Sequence, residues 1–546
     1  MDDIAKRYGF KSARYIFVFI ILVIKMISLI SPKIMEIIID NYIPQKEIRM
    51  VFLGSLAYLF LPFVGISLQV LYNYFSIKYI RKKGNEISLD VMRKLIYQGK
   101  QFYDKENSAE ILSYSSKEAV GYVNFYLADL SNYYVMIVLS IFSFLIIFSI
   151  HPILGLIQLF YIPFAKIPVK KMTEYIKSNV DEVVTKNAEK NQVLADIFRL
   201  IEFVKINNLE EKKIEEVKEI NNTINKYWGR IAALDATSGM WMNGFASIVF
   251  TGLSLGTSSF LVLSENLKIG KMFSVLLYAS LYYEYINTIL GTTVNKAKQE
   301  AEYQKLFSYL ELSDERTDNE GKKPFSLNRF IKMDNLSFEY NPDRVIFQDF
   351  NLSFEKGRWI GITGNSGSGK TTLFDLILKF YPVRDGMIYF DEVDINNIDT
   401  FDLRKNIQKI SQEVSLFPGT IKDNLELVNT DASDDDFFRA LNAANLAEYI
   451  AKLPEGINTD VGEAGKLMSG GEKQRLSIAM GLLTNKRILL LDEVTSNLDK
   501  DSQKIIKMNL KSLRDSGYTI ISISHDMSFL DLADEVVNIN EIGLSS

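Results

Sequence analysis

Residues Gly364 to Thr372 read GNSGSGKTT, between an apolar segment ending in Ile360–Thr363 (IGIT) and the helix-patterned LFDLILKFY. A strand, a glycine-rich loop and a helix in that order make G-x-x-x-x-G-K-[ST] a credible phosphate cradle. Glycines let backbone N–H groups converge on phosphate oxygens, and a helix N-terminus favours negative charge. Gly364, Asn365, Ser366, Gly367, Ser368 and Gly369 are the expected cradle, followed by Lys370, Thr371 and Thr372. Lys370 is placed to reach the terminal phosphates and the Thr371 hydroxyl to hold Mg2+. The pattern predicts an α/β P-loop domain that binds and hydrolyses a nucleoside triphosphate.

Such a domain needs a carboxylate for the metal and a base for water. Two apolar runs end in Asp-Glu: MIYFDE (Met387 to Glu392) and RILLLDE (Arg487 to Glu493). Consecutive large aliphatics read as a buried central strand, so the second run is the choice. The first follows the turn RDG and reads as a surface hairpin. Asp492 is then expected to coordinate Mg2+ through water, and Glu493 to polarise the attacking water. In YTIISISHD, His525 ends another buried strand. Loops at strand ends carry ligand contacts in such sheets, so His525 is expected at the γ-phosphate.

The 546 residues are too many for one ordinary domain. Residues 1 to about 300 hold long apolar runs, whereas the remainder has the composition of a soluble protein. The absence of cysteine excludes disulfides and thiol chemistry, and the presence of only two histidines argues against a histidine-rich metal site. No Lys/Arg tract points to nucleic acid.

A helix needs about 20 mainly apolar residues to cross a bilayer. Segments near 15–39, 51–77, 130–150, 152–170, 238–263 and 271–293 meet or approach this, predicting six crossings. The first run is too long for a signal peptide and lacks a small-residue cleavage site. His151-Pro152 separates the third and fourth segments, so His151 reads as a turn residue. Lys78, Arg81, Lys82, Lys83, Arg93, Lys94 and Lys100 follow the second crossing, while the 151–152 turn has no Lys or Arg. That bias predicts cytoplasmic termini. EFVKINNLEEKKIEEVKEINN (202–222) reads as a helical extension beyond the bilayer.

Polar residues within spans are functional candidates. Ser280, Glu284, Asn287 and Gly291 share one helical face in the sixth segment, and Lys25, near the middle of the first, is a possible partner for Glu284. The two readings are a structural ion pair and a polar cavity for cargo. Tyr278, Tyr282, Tyr283 and Tyr285 suit either an amphipathic cargo or core packing. Ser247, Thr251, Ser254 and Ser258 with Gly252-x-x-x-Gly256 suggest close helix packing.

The soluble half resembles the ATP-binding cassette family. The residues that carry this are Tyr340 at the adenine-stacking position, GNSGSGKT, Gln412 in KISQEVSLFPGTIKDNL, DVGEAG (460–465), MSGGE (468–472), ILLLDE, SNLD (496–499) and His525. They stand in the family's order across nearly all of residues 329–530. Six spans followed by one cassette look like an exporter-type half-transporter, with QFYDKENSAEILSYSS (101–116) and the region around Asn207 to Lys213 similar to its coupling loops. The resemblance implies a transmembrane domain (1–310), a linker (311–328) and a nucleotide-binding domain (329–546).

It further implies an ATP hydrolase with Mg2+ that pairs with a second copy or a related half-transporter in the plasma membrane. Each ATP would lie between one chain's phosphate loop and the other's Ser469, Gly470, Gly471 and Glu472, with Asp499 nearby and Gln412 at the metal. Glu493, His525 and Gln412 would be the catalytic set. The expected cargo is an amphipathic peptide or hydrophobic drug, with a lipid or lipid-linked sugar as the alternative. Met468, Glu472 and Asn497 depart from the family's usual Leu, Gln and Ala. Ser469 and Glu472 have capping-box spacing, so Glu472 is expected to stabilise the ATP-free helix start.

Overall fold

The computed structural model describes residues 2–106, 111, 118–341, 344–414, 416–496 and 498–542. Its chain forms two compact units, Met1–Tyr97 with Lys105–Ser313, and Gln98–Asp104 with Asp314–Ser546. Most of the stretch 101–116 and Asn497 lie outside the described residues or among them only in part.

The first unit is helical. Its long elements are Ala13–Tyr42, Ile48–Ile96, Ala119–Ile150, Pro152–Arg199, Glu210–Leu263 and Ile269–Glu311, one for each expected span. Five of these, the fourth over Pro152–Tyr175, are long and apolar enough to cross a membrane. The sixth is one helix of 43 residues that buries tyrosines, among them Tyr278, Tyr282, Tyr283 and Tyr285, beside aliphatic residues such as Val275, Ile286 and Leu290. Leu59, Phe60 and Phe63 are each more than 60% exposed within this unit, as lipid-facing side chains would be.

His151 is extended (φ −158°, ψ 122°), and Pro152 occupies the first helical turn after it, where its missing N–H is no loss. The hairpin is tight because Gly155 lies against Phe148, whose Cα is 2.9 Å from where a Cβ would stand. The segment 202–222 differs from the expected continuous extension. A short helix, Ile201–Ile206, ends at Asn207, Asn208 is left-handed (φ 49°), and a new helix starts at Glu210. Asparagine tolerates that conformation, so the break falls there.

In the second unit β1 (Phe330–Asn341), β2 (Arg344–Glu355), β4 (Ile388–Phe390) and β5 (Val393–Asp394) form an antiparallel sheet in the order β2-β1-β4-β5. The other sheet is parallel, ordered β6-β7-β8-β3-β9, from β3 (Trp359–Thr363), β6 (Ile407–Ile410), β7 (Ile488–Asp492), β8 (Thr519–Ile523) and β9 (Glu535–Asn538). Every residue of β7 and β8 is buried, as flanked parallel strands require. Asp391, by contrast, is left-handed (φ 55°) at the β4–β5 turn, where its carboxylate accepts from the N–H groups of Asn328, Arg329 and Phe330. Asp314 and Asn319, in the polar stretch after the last long helix, are buried within this unit.

Candidate functional site

Because β3, β6, β7 and β8 run parallel, their C-terminal ends share one edge of the sheet. That edge carries the Gly364–Gly369 loop after β3, Gln412 after β6, Glu493 after β7 and His525 after β8. Residues far apart in sequence are thereby gathered where open α/β sheets bind ligands.

The loop has its cradle geometry. Gly369 is left-handed (φ 92°) and precedes the helix Lys370–Ile377, and a Cβ there would come within 2.6 Å of Ile346 Cγ2. Only glycine fits. Asn365, Ser366 and Gly367 are exposed, whereas Lys370 is buried and its ammonium donates to the carbonyls of Gly364 and Asn365 at 2.8 Å each. Burial pushes the Lys370 ammonium below its ordinary pKa, with the nearby Glu493 and Asp492 charges opposing that. Ser368 Oγ is buried with no hydrogen-bond partner among the described residues. A phosphate oxygen would satisfy it.

Thr371 Oγ1 donates to Asp492 Oδ1 at 3.3 Å. Burial raises the Asp492 carboxyl above the usual range, and Lys409 is the first opposing influence. Among the described residues no cluster of three or more His, Cys, Asp or Glu could hold a metal. A hydroxyl beside one carboxylate instead fits Mg2+, which takes oxygen ligands and completes its shell with water and phosphate. Gln412 is exposed at the same edge.

Glu493 is left-handed (φ 49°), a conformation that costs a non-glycine residue about 1–2 kcal/mol. Four hydrogen bonds hold its backbone: its N–H donates to Ile523 O at 3.0 Å, and its carbonyl accepts from Gln474 Nε2 at 3.2 Å, from the Ser496 N–H at 3.2 Å and from Ser496 Oγ at 3.0 Å. Its Oε1 lies 3.2 Å from His525 Nε2. A carboxylate so fixed beside an imidazole can orient and deprotonate water.

Tyr340 is half-buried, its hydroxyl 3.0 Å from Thr372 Oγ1 and its ring 5.1 Å edge-on to Tyr381. Arg344 lies 5.4 Å from the ring centroid. The ring therefore stands beside the phosphate-loop helix.

Ser469 and Glu472 form the capping box at the start of helix Gly470–Leu483: Glu472 Oε2 accepts the Ser469 N–H at 2.8 Å, and Ser469 Oγ accepts the Glu472 N–H at 3.4 Å. A Cβ at Gly470 would meet nothing within 4 Å among the described residues, so their packing does not demand glycine there. Gly471 follows it in the first turn. Asp499 caps the helix Lys500–Asp515 through the Ser502 N–H at 2.8 Å and pairs with Arg475 at 3.5 Å.

In the membrane unit Ser280, Glu284 and Asn287 line one cavity of about 410 Å³ with Asn243, Ser247 and Thr251. Lys25 is not among its lining residues, and no ion pair joins Lys25 to Glu284 among the described residues. Asn287 is tied in by Tyr161, whose hydroxyl donates to Asn287 Oδ1 at 2.8 Å, and by its own bond to Asn243 at 2.8 Å. Tyr278, Tyr282, Tyr283 and Tyr285 are at most 3% exposed; Tyr278, Tyr282 and Tyr285 are packed in the core, while Tyr283 also lines the cavity. A Cβ at Gly252 or Gly256 would meet nothing within 4 Å among the described residues; in this unit the close approaches fall at Gly54, Gly84, Gly155 and Gly270 instead.

Sequence reading missed Gln474, 1% exposed, which fixes the Glu493 carbonyl, and Lys409 and Asp375, which join in a buried ion pair at 2.7 Å. The available signal was charge or amide inside apolar runs, as in LFDLILKFY and NIQKI.

The family profile described as ABC transporter transmembrane region matches residues 15–285, and that described as ABC transporter matches residues 347–496. A putative multidrug export ATP-binding/permease protein of Staphylococcus aureus (strain NCTC 8325 / PS 47) is 29% identical over 459 residues, 83% of this chain and 79% of that relative. An ATP-dependent lipid A-core flippase of Syntrophus aciditrophicus (strain SB) is 35% identical over 297 residues, 54% of this chain and 48% of that relative. A bacterial Atm1-family ABC exporter solved with ATP bound has the same fold, with a TM-score of 0.87 at 21% identity, covering 98% of this chain and 94% of that one.

Proposed function

The chain belongs to the ATP-binding cassette transporters, and on that premise we propose that it is one half of a homodimeric exporter moving an amphipathic cargo out of the cytoplasm. It is a multi-pass membrane protein whose ATP hydrolysis is coupled to transport. The observation that carries the site assignment is the convergence of the Gly364–Thr372 loop, Asp492, Glu493 and His525 on one sheet edge.

Thr371 and Asp492 would hold Mg2+, with Gln412 beside them; bound there, it would neutralise phosphate charge. Lys370 and the loop N–H groups bind the triphosphate, and the Tyr340 ring takes the adenine. Glu493 holds the attacking water and accepts its proton, while His525 orients Glu493 and contacts the γ-phosphate. Ser469, Gly470, Gly471 and Glu472 serve the nucleotide held by the second copy. The open space at Gly470 supports that reading, since a side chain there would obstruct only something outside this chain. Asp499 sets the approach of the helix that follows.

The Lys and Arg residues after the second span favour cytoplasmic termini in the plasma membrane. The cavity with Ser280, Glu284 and Asn287 suits a cargo with a polar or cationic group on an apolar body. The multidrug-export name of one relative supports a hydrophobic drug or peptide, and the flippase name of another favours a second reading, a lipid cargo. Purified full-length chain in inside-out proteoliposomes distinguishes them. ATP-dependent uptake of a cationic amphiphile or peptide, with stimulation of hydrolysis, is expected. Lipid scrambling of labelled headgroups without such uptake would favour the second reading, and neither activity would refute both.

A further inference from the structure

The second unit includes Gln98–Asp104, a segment that follows directly after the second span helix, which ends at Ile96. Lys100 in that segment donates to Asp375 Oδ2 at 2.8 Å and lies 5.6 Å from the Tyr381 ring centroid. Asp104 accepts a hydrogen bond from the Tyr381 hydroxyl. Asp375 is in the phosphate-loop helix, and its other oxygen, Oδ1, accepts from Lys409 on β6 at 2.7 Å. Lys409 Nζ is in turn 4.0 Å from Asp492 Oδ2, while Asp492 Oδ1 faces the Thr371 hydroxyl.

The result is a row of alternating charges, Lys100, Asp375, Lys409 and Asp492. The side chains of Asp375 and Asp492 are 3% and 6% exposed, and that of Lys409 is 13% exposed. Lys100, at 44%, is the solvent end of the row. Buried charges interact strongly because water does not screen them. Lys409 is shared between two carboxylates, and Asp375 is shared between two ammonium groups. Neither can strengthen one bond without weakening the other.

We propose that Asp375 and Lys409 couple the docking of the Gln98–Asp104 segment negatively to metal–nucleotide binding at Asp492. With Asp492 holding a divalent cation, Lys409 would be repelled toward Asp375, which would then hold Lys100 less tightly. By linkage, removing the Lys100 charge lets Asp375 draw Lys409 away from Asp492, leaving a more negative carboxylate for the metal. Asp375 and Lys409 are positioning residues here, acting on the metal through Asp492. The proposal rests on the reading of Asp492 as the metal carboxylate.

The test uses the full chain in lipid discs, Mn2+ in place of Mg2+, and a non-hydrolysable ATP analogue, with bound Mn2+ read by electron paramagnetic resonance. Lys100→Met is expected to tighten Mn2+ binding by about fivefold, the low end of ordinary coupling. Because Asp375→Asn alone would strand Lys409, the second background is Asp375→Asn with Lys409→Met, which removes the buried pair together. There Lys100→Met is expected to change nothing. Unchanged or weaker Mn2+ binding in the single variant, or an equal change in both backgrounds, overturns the coupling. Asp492→Asn separates the two readings. If it loses Mn2+ while Lys100→Met has no effect, only the coupling fails; if it binds Mn2+ as the parent does, both fail.

Discussion

Glu472→Gln probes how the start of the Gly470–Leu483 helix is tuned. In the structure the Glu472 carboxylate closes the capping box on the Ser469 N–H at 2.8 Å. Glutamine keeps an oxygen acceptor at the same reach, so the cap and the helix are expected to survive. The negative charge is lost. A carboxylate at a helix N-terminus is worth about 0.3–1 kcal/mol, and the same charge opposes a γ-phosphate arriving there from the second copy. With about 1.4 kcal/mol per tenfold change, removing it should tighten ATP-dependent pairing of the cassettes by about two- to fivefold. The assay is the ATP concentration for half-maximal closure, read by distance between spin labels on the two copies, in a background that cannot hydrolyse ATP. Glu472→Ala, which also deletes the cap, should show a lowered unfolding temperature that Glu472→Gln lacks. Weaker closure in Glu472→Gln would refute the reasoning.

Gly84→Ala should destabilise the membrane unit by about 1–3 kcal/mol, the usual range for overpacking, because the new Cβ would lie 2.7 Å from Val120 Cα. Gly256→Ala, where a Cβ meets nothing within 4 Å among the described residues, is the control and should not lower the unfolding temperature in discs, alanine being the better helix former. Glu284→Ala should abolish or sharply reduce stimulation of hydrolysis by a cationic amphiphile while leaving unstimulated hydrolysis intact. An unchanged response to every stimulating cargo would remove Glu284 from the cargo site.

Local chemistry was legible where one segment carries the whole signal. The loop Gly364–Gly369, the buried strand before Asp492, the hairpin at Asp391 and the cap at Ser469 each depend on neighbours within a few residues. Where the outcome depends on distant packing, sequence was mute or misleading. Gly252-x-x-x-Gly256 has the spacing of a packing motif, yet a Cβ at either glycine would meet nothing within 4 Å among the described residues, whereas at Gly84, Gly155 and Gly270 it would lie within 3 Å of another stretch of backbone. Lys25 and Glu284 have opposite charges inside apolar spans, but no ion pair joins them among the described residues, and only Glu284 lines the cavity. The break at Asn207-Asn208 turned on a single left-handed residue within a strongly helical composition. Asp375 and Lys409 meet only because the phosphate-loop helix packs beside β6, 34 residues later in the chain.

The central claim is ATP hydrolysis driven by Glu493 at a site built on this sheet edge. Its most direct test is the Glu493→Gln variant of the full chain in lipid discs, with phosphate release and retained nucleotide measured on the same sample. A positioned general base is worth about 10²–10⁴-fold in rate, so hydrolysis should fall by at least about a hundredfold while ATP remains bound and the cassettes stay closed. Turnover at the parental rate would contradict the account.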